Sequence, residues 1–204
     1  MLPVAPQPPF EIRTIAIIGA GTAGRRFALS CAAAGYHVVL EDVMPANLRR
    51  AEADFAEMNL GESSGSLSLA LTVEDAVREA DIAIDFVPDE LESKLEIFSM
   101  IDRMAPPKTI LCTPSYALSI TDLASCVYRP ERAFAVRGDL LAADSPKPSV
   151  RLLYPASAEN HDAQALAATS RFLQSLSLHV HVEPDPDVPM LMKNLEPALP
   201  LATD

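Results

Sequence analysis

Short apolar runs alternate with segments of helical character from the first third of the chain onward. Arg13–Ile18, His37–Glu41 and Asp81–Val87 are apolar runs bounded by glycine or polar residues, a pattern typical of strands that are buried on both faces. Thr22–Ala34 lies between the first two runs, is rich in alanine and stops before Gly35. Alanine favours helix and glycine commonly follows a helix end, so this segment is predicted to be helical.

The same alternation continues to about residue 182. The further predicted strands are Ser68–Leu71, Thr109–Cys112, Ala133–Val136, Val150–Tyr154 and Leu178–Val182. The further predicted helices are Pro45–Met58, Thr72–Glu79, a segment from Leu91, Thr121–Cys126 and about Ala158–Ser175. Strands separated by helices of about 10–15 residues favour parallel strand–helix–strand units. We therefore expect an α/β fold of three layers, with a doubly wound, mostly parallel sheet between two helical layers.

Proline marks both ends of the chain. Half of the 18 prolines lie in residues 1–10 and 183–204, and each one removes a backbone donor. We therefore divide the chain into a Pro-rich arm at 1–12, one folded domain at 13–182 and a Pro-rich tail at 183–204. Such a tail is either disordered or docked as an extended strap on another chain. The stretch Gly61–Gly65 is expected to be a flexible loop.

Composition and charge narrow the class of protein. The 204 residues are 49% hydrophobic and carry a net charge of −12, which argues against disorder, nucleic-acid binding and attraction to anionic membranes. No apolar run approaches the roughly 18 residues of a membrane span, and the first ten residues lack the basic start of a signal peptide. Three cysteines without metal-ligand spacing predict neither a disulfide framework nor a metal site and favour a reducing cytoplasm.

A glycine motif carries the most specific chemistry in the sequence. Gly19-Ala20-Gly21-Thr22-Ala23-Gly24 follows the first predicted strand and opens the first helix. In the Rossmann fold, the first glycine of such a motif allows a tight turn, the second lets the backbone approach a pyrophosphate, and the third permits close helix–strand packing. The free N–H groups of the helix N-terminus then bind the phosphates. A P-loop is disfavoured because no Gly-Lys-Ser/Thr follows.

An acidic residue completes this motif. Asp42, beside Glu41, ends the second predicted strand 18 residues after Gly24. A carboxylate at this place accepts both ribose hydroxyls of NAD, whereas it repels the 2′-phosphate of NADP. The sequence therefore predicts binding of NAD. The alternative is that Asp42 is an ordinary strand-end residue that caps the next helix.

Several collinear segments resemble the N-terminal NAD-binding domain of the 3-hydroxyacyl-CoA dehydrogenase family. They are Ile15–Val43, Leu71–Ala80, Asp81–Phe98 and Ile110–Ala124, with weaker similarity to Val182. The resemblance implies an oxidoreductase of fatty acid metabolism. In this family a hydride passes between nicotinamide and C3 of an acyl-CoA, and a His–Glu pair serves as the acid and base. It also implies that Asp89 contacts the cofactor and that Lys94 lies near cofactor and substrate; the alternatives are a helix N-terminal charge and a solvated helix face.

The catalytic residues of the family are replaced. Where the family has Ser-Asn-Thr-Ser-Ser, this chain has Thr113-Pro114-Ser115-Tyr116-Ala117, and Arg137 stands at the catalytic histidine. An arginine stays protonated and cannot exchange a proton as histidine does. Val150–Tyr154 offers no carboxylate at the place of the partner glutamate. The remaining candidates for the site are Tyr116 as a proton donor and Arg137 as a ligand for a carboxylate or phosphate. The alternative for Tyr116 is an aromatic side chain that packs at the edge of the cleft.

Three hypotheses follow from these residues. The first is a reduced NAD-dependent dehydrogenase for a 3-hydroxyacyl or hydroxy-acid substrate, and the second is a catalytically inactive dinucleotide-binding sensor or partner subunit. The third is a scaffold with a vestigial pocket. The resemblance stops before the helical C-terminal domain of the family, which carries much of its dimer interface. We expect a homodimer that covers the apolar edge exposed without that domain.

Overall fold

One eight-stranded sheet organises the residues that the computed structural model describes, which are 10–58, 61, 64–141, 148–156, 161–187 and 191. The strands are β1 (Thr14–Ile18), β2 (His37–Glu41), β3 (Ser66–Ala70), β4 (Ile82–Asp85), β5 (Ile110–Pro114), β6 (Ala133–Gly138), β7 (Ser149–Tyr154) and β8 (His179–Pro184). The helices are α1 (Thr22–Ala33), α2 (Pro45–Glu57), α3 (Val73–Val77), α4 (Leu91–Met104), α5 (Ile120–Ala124) and α6 (Ala163–Ser175), with a 3-10 turn at Pro130–Arg132.

The strand order places a crevice at the centre of the sheet. The order is β3-β2-β1-β4-β5-β6-β7-β8, and β6 with β7 form the antiparallel pair among otherwise parallel neighbours. The chain winds outward from β1 to β3 and then returns to place β4 on the other side of β1. Ligands of such sheets bind outside the carboxyl ends of the strands at this reversal. The expected doubly wound, mostly parallel fold is confirmed.

The two faces of the sheet carry separate hydrophobic cores, which gives the fold its three layers. On one face α1, α2 and α6 contribute Phe27, Leu48 and Phe172 to a single buried cluster. On the other face α3, α4 and α5 contribute a second cluster that includes Phe98 and Leu123. Covering both faces explains why the central strands are apolar runs rather than alternating ones.

The predicted boundaries differ from the structure by one or two residues at most elements and by five residues at the start of α6. α6 begins at Ala163, later than the predicted start near Ala158, because the Asp162 carboxylate accepts hydrogen bonds of 3.0 Å from the amides of Gln164 and Ala165. β8 extends to Pro184, past the predicted end of the domain at 182. Some predicted parts lie outside the described residues: 1–9 of the predicted arm at 1–12, 62 and 63 of the predicted loop, 158–160 of the predicted sixth helix, and 188–190 and 192–204 of the predicted tail.

Candidate dinucleotide site

The glycine loop lies at the carboxyl end of β1, where the sequence predicts it. Gly19 adopts a φ of +101°, a conformation that L side chains rarely adopt. A Cβ on Gly24 would lie 1.9 Å from the carbonyl oxygen of Gly19, so the first turn of α1 packs directly on the loop. These two glycines are therefore required by the folded backbone itself, before any ligand binds.

The N-terminus of α1 is left open. Its N-cap is Gly21, which provides no side-chain cap, whereas Thr72, Ser119 and Asp162 cap α3, α5 and α6 with their side chains. A Cβ built on Gly21 would meet no atom within 4 Å. The first helical residues are Thr22 and Ala23, whose backbone amides belong to the turn that lacks intrahelical acceptors. Free space at Gly21 therefore lies next to backbone amides that have no capping partner. This is the arrangement that binds anions at helix N-termini.

Asp42 faces this loop from the end of β2 and is 8% exposed. One carboxylate oxygen accepts from the Ala20 amide at 2.7 Å and from Asn47 Nδ2 at 3.0 Å, and the other accepts from the Met44 amide at 2.7 Å. Asp42 thus also fulfils part of its alternative role as a helix cap, because it accepts from the amide of Met44, the N-cap residue of α2. The same carboxylate also orients the glycine loop.

A cavity of about 530 Å³ opens between the glycine loop, the end of β2 and the face of α4. Its lining is Ile18, Gly19, Gly21, Glu41, Asp42, Val43, Asn47, Val73, Phe86, Val87, Pro88, Ser93, Glu96, Ile97 and Met100. Burial, together with the neighbouring Asp42 charge, raises the pKa of the Glu41 carboxyl. The lining is mostly apolar with a few polar groups, and all of its ionisable residues are acidic, which suits a neutral base and a ribose better than an additional phosphate.

Asp89 and Tyr116 join two loops at the same edge of the sheet. The exposed Asp89 carboxylate accepts a hydrogen bond of 2.9 Å from the Tyr116 amide. The Tyr116 hydroxyl donates to the carbonyl of Gly138 at 2.9 Å, although the residue is 71% exposed. Asp89 therefore holds the loop after β5 in place, and Tyr116 spans from that loop to the end of β6.

Lys94 is buried beneath the site. Its ammonium donates to Asp85 Oδ1 at 2.5 Å, to Thr113 Oγ1 at 2.9 Å and to the Pro114 carbonyl at 3.2 Å, and its side chain is 1% exposed. The alternative of a solvated helix face is therefore wrong. Burial raises the pKa of the Asp85 carboxyl, while the Lys94 charge opposes the shift. Lys94 ties α4 to the ends of β4 and β5, and it is absent from the cavity lining.

Arg137 lies on β6 and Cys112 on β5, and neither residue lines the cavity. Arg137 Nη2 donates to the Leu118 carbonyl at 2.9 Å and to the carboxylate of Asp187, and its Nε is buried with no acceptor among the described residues. Cys112 is a buried residue of β5, and burial raises the pKa of its thiol to about 12. A thiol of this kind is protonated at neutral pH, which agrees with the role of a small apolar residue.

Residues after β8 join this region, which the sequence patterns did not indicate. The Asp185 carboxylate is 5% exposed and accepts from Ser119 Oγ at 2.6 Å and from the Thr121 amide at 2.9 Å. Leu191 donates its amide to Asp122 at 3.0 Å. Asp185 and Leu191 therefore both lie against the N-terminus of α5 in the same chain. Nothing in the local sequence around Ser119 identifies Asp185, its partner 66 residues away.

The described part of the chain offers neither a metal site nor a membrane span. It contains no group of three or more His, Cys, Asp and Glu side chains that would hold a metal ion. None of its helices is both long and apolar enough to cross a membrane.

The positive φ at Gly19, the open N-terminus of α1 and the acid at the end of β2 define the class of protein as a Rossmann-type NAD-binding protein. Residues 14–137 match the family model described as "3-hydroxyacyl-CoA dehydrogenase, NAD binding domain". The match covers more than half of the chain, so the chain belongs to the 3-hydroxyacyl-CoA dehydrogenase family. The predicted family and the predicted cofactor, NAD, are both confirmed.

Two curated relatives match different lengths of this chain. The probable 3-hydroxybutyryl-CoA dehydrogenase of Bacillus subtilis is 32% identical over 139 residues, which is 62% of this chain and 48% of that protein. The 5-formyl-3-hydroxy-2-methylpyridine 4-carboxylate 5-dehydrogenase of Mesorhizobium japonicum is 28% identical over 193 residues, which is 90% of this chain and 60% of that protein. This chain thus spans about half the length of these relatives.

A solved structure shows the same fold. The (S)-3-hydroxybutyryl-CoA dehydrogenase of Ralstonia eutropha superposes with a TM-score of 0.73 at 22% identity, over 91% of this chain and 68% of that one. At this identity the superposition establishes the fold alone.

Proposed function

We propose that this chain is the NAD(H)-binding part of a dehydrogenase that acts on a 3-hydroxyacyl or hydroxy-acid substrate. The observation that carries the proposal is the open N-terminus of α1, where Gly21 leaves free space, beside a cavity that is bordered by Asp42. In this proposal the amides of Gly21, Thr22 and Ala23 hold the diphosphate. Gly19 and Gly24 shape the loop.

NAD is preferred over NADP in this proposal because of charge. Glu41 and Asp42 are adjacent at the end of β2, and no described residue that lines the cavity is basic. A 2′-phosphate would therefore meet two carboxyl groups without a compensating cation. A direct titration tests this: NADH fluorescence is measured during titration with the protein, which has no tryptophan of its own. We expect saturable binding of NADH and binding of NADPH that is weaker by about tenfold or more.

The substrate class rests on the relatives. The Bacillus relative is named for a 3-hydroxyacyl-CoA, and the Mesorhizobium relative for a ring-bearing carboxylate. Both relatives are named as dehydrogenases. We therefore assign a small 3-hydroxyacyl or hydroxy-acid compound to this site.

The proton that accompanies hydride transfer requires a donor from the protein. When bound, NADH would supply the hydride for reduction of a substrate ketone to an alcohol. We assign the proton that completes the alcohol to the Tyr116 hydroxyl, which lies at the sheet edge and donates to the Gly138 carbonyl in the free protein. The substrate oxygen would replace that carbonyl as its acceptor, and solvent would return the proton to Tyr116, which is 71% exposed.

Tyr116→Phe tests this assignment. Oxidation of NADH by acetoacetyl-CoA or acetoacetate should fall by about 10²–10⁴-fold in the variant, with NADH affinity unchanged. Equal turnover of the variant and the parent protein would contradict the role of Tyr116.

A second candidate function is supported by Arg137. The arginine at the family's histidine position is paired with Asp187 and cannot act as an acid or base at neutral pH. This favours a dinucleotide-binding protein without catalysis, acting as a sensor or partner subunit. Tight NADH binding without turnover of hydroxyacyl or hydroxy-acid compounds would support this second function and exclude the first.

We also propose that the chain forms a homodimer. β8 is an edge strand among the described strands, and Val182 on it is 46% exposed. Exposed apolar groups at an unpaired edge favour self-association. Light scattering should give twice the mass of one chain, and a monomer at micromolar concentration would refute this proposal.

A further inference from the structure

Arg137 is a mostly buried cation whose counter-ion comes from a distant part of the chain. Its side chain is 12% exposed, and its partner Asp187 lies 50 residues later in the sequence. Only Nη2 has acceptors in the described residues, the Leu118 carbonyl and the Asp187 carboxylate, whereas the buried Nε has none there. A guanidinium binds a carboxylate best through two parallel N–H groups, so this arginine retains unused capacity for an anion.

The segment that carries Asp187 is anchored independently of Arg137. Asp185 accepts from Ser119 Oγ and from both the amide and the hydroxyl of Thr121, at 2.6, 2.9 and 3.0 Å. Its own amide donates to the Tyr154 carbonyl at 2.8 Å. Asp185 is 5% exposed, so these bonds hold the backbone firmly two residues before Asp187.

Asp187 itself is held more weakly. Its side chain is 40% exposed, and its amide reaches Asp185 Oδ1 at 3.2 Å. The ion pair therefore joins a buried cation to a half-exposed anion at the end of an anchored segment. Solvent therefore reaches the Asp187 carboxylate much more easily than it reaches the Arg137 guanidinium.

We propose that Arg137 binds the carboxylate of a substrate, and that Asp187 is an internal carboxylate that occupies Arg137 until the substrate displaces it. This inference rests on the proposed dehydrogenase function. It narrows the substrate class to 3-hydroxy and 3-oxo acids with a free carboxylate. A thioester is neutral. If a thioester displaced the Asp187 carboxylate from Arg137, the Arg137 charge would be left unpaired in a largely buried place.

The location of Arg137 agrees with a substrate role. It lies on β6 one residue before Gly138, whose carbonyl accepts from the Tyr116 hydroxyl. Arg137, the proposed binder of the carboxylate, and Tyr116, the assigned proton donor, are therefore both found at the end of β6. β6 lies on the same side of β1 as β4 and β5, at the carboxyl edge that also carries the glycine loop.

The test is a titration of the full chain, saturated with NADH, with acetoacetate. Asp187→Asn removes the competing charge at an exposed position and should tighten acetoacetate binding by about tenfold or more. Arg137→Met should abolish binding of acetoacetate. Acetoacetamide has the same skeleton without the charge. It should bind the Asp187→Asn variant no more tightly than it binds the parent chain.

Glu183→Gln is the matched control. It removes the partner of Arg151 in another ion pair at the end of β8, without touching Arg137. Its affinity for acetoacetate should equal that of the parent chain. If NADH binds but acetoacetate affinity is the same in the parent and in Asp187→Asn, the inference is overturned, even if Arg137→Met does not fold. If NADH itself does not bind, the proposed function fails first.

Discussion

The carboxylate of Asp42 accepts a hydrogen bond of 2.7 Å from the amide of Ala20, in the middle of the glycine loop. A residue predicted from its place relative to the motif is therefore also a structural support of that motif. Because Asp42 further accepts from Met44 and Asn47, it joins the loop after β1 to the start of α2. A substitution here is expected to affect both the loop and the ribose site.

Asp42→Ala is expected to weaken NADH binding by about 10- to 100-fold, because hydrogen bonds to a charged group contribute about 1.5–3 kcal/mol. It should also lower the free energy of unfolding by about 1–3 kcal/mol, since the Ala20 amide loses its acceptor. NADH titration and urea denaturation measure the two effects. Asp54→Asn is the control, because it changes only a half-exposed ion pair with Arg25. Unchanged NADH affinity in Asp42→Ala would refute the site assignment.

Alanine substitutions at two glycines of the motif are expected to have different effects on stability and on NADH binding. Gly24→Ala places a Cβ 1.9 Å from the Gly19 carbonyl oxygen, and backbone atoms must move to accept it. Overpacking of this kind typically costs about 1–3 kcal/mol. Gly21→Ala meets no atom within 4 Å and should leave the free energy of unfolding within about 1 kcal/mol of the parent value. It should nevertheless weaken NADH binding, because the new methyl group occupies the space for the diphosphate.

Thermal denaturation and NADH titration of the two variants distinguish these effects. We expect Gly24→Ala to be destabilised even without NADH, and Gly21→Ala to differ from the parent only when NADH is present. Equal stabilities of the two ligand-free variants would contradict the role given to Gly24.

The buried pair of Lys94 and Asp85 should behave as a unit. Lys94→Met leaves the Asp85 charge unpaired and should cost about 3–5 kcal/mol of unfolding free energy. The double variant Lys94→Met with Asp85→Leu should recover most of that loss, since an apolar pair can replace a buried ion pair. Urea denaturation of the two single variants and the double variant measures the coupling. Additive losses would show that the two residues act independently.

Asp81 should make stability depend on pH at the other end of the sheet. Burial tends to raise the pKa of this carboxyl, but the Lys108 ammonium and the amides of Thr14 and Arg13 outweigh burial, and the pKa is lowered. A lowered pKa in the folded state stabilises the fold above the unfolded value of about 3.9. This stabilisation is lost as the pH falls through the lower folded value.

Comparison of the parent chain with Asp81→Asn tests this sign. The unfolding free energies should differ by about 2 kcal/mol at neutral pH, the contribution typical of hydrogen bonds to a charged acceptor. The difference should shrink as the pH falls from about 5 to about 2. A difference that stays constant over this range would contradict the prediction.

Local patterns predicted most of the fold. The bounds of β2 agree with the structure to the residue, and α1 differs by one residue at its C-terminal end. The start of α6 was predicted too early, although its cap, Asp162, lies directly before the helix. β8 continues to Pro184 through pairing with β7, a partner strand that a local window of sequence does not contain.

The candidate site divides in the same way. The motif from Gly19 to Gly24 and the acid Asp42 were predictable because glycine sterics and strand–helix spacing are local properties. The burial of Lys94 was not, since its partners Asp85 and Thr113 lie 9 and 19 residues away. An exposed and a buried lysine on an amphipathic helix have the same sequence pattern.

The sequence by itself determined the fold class through its periodicity, the cofactor through a motif of contiguous residues, and the family through resemblance over several segments. Only the tertiary structure decided which group pairs with Arg137. Its charge is matched by Asp187, and the segment that carries Asp187 is held by Ser119 and Thr121. The physical reason is that a buried charge must find its counter-ion in three dimensions, and that counter-ion can come from any part of the chain which the fold brings near.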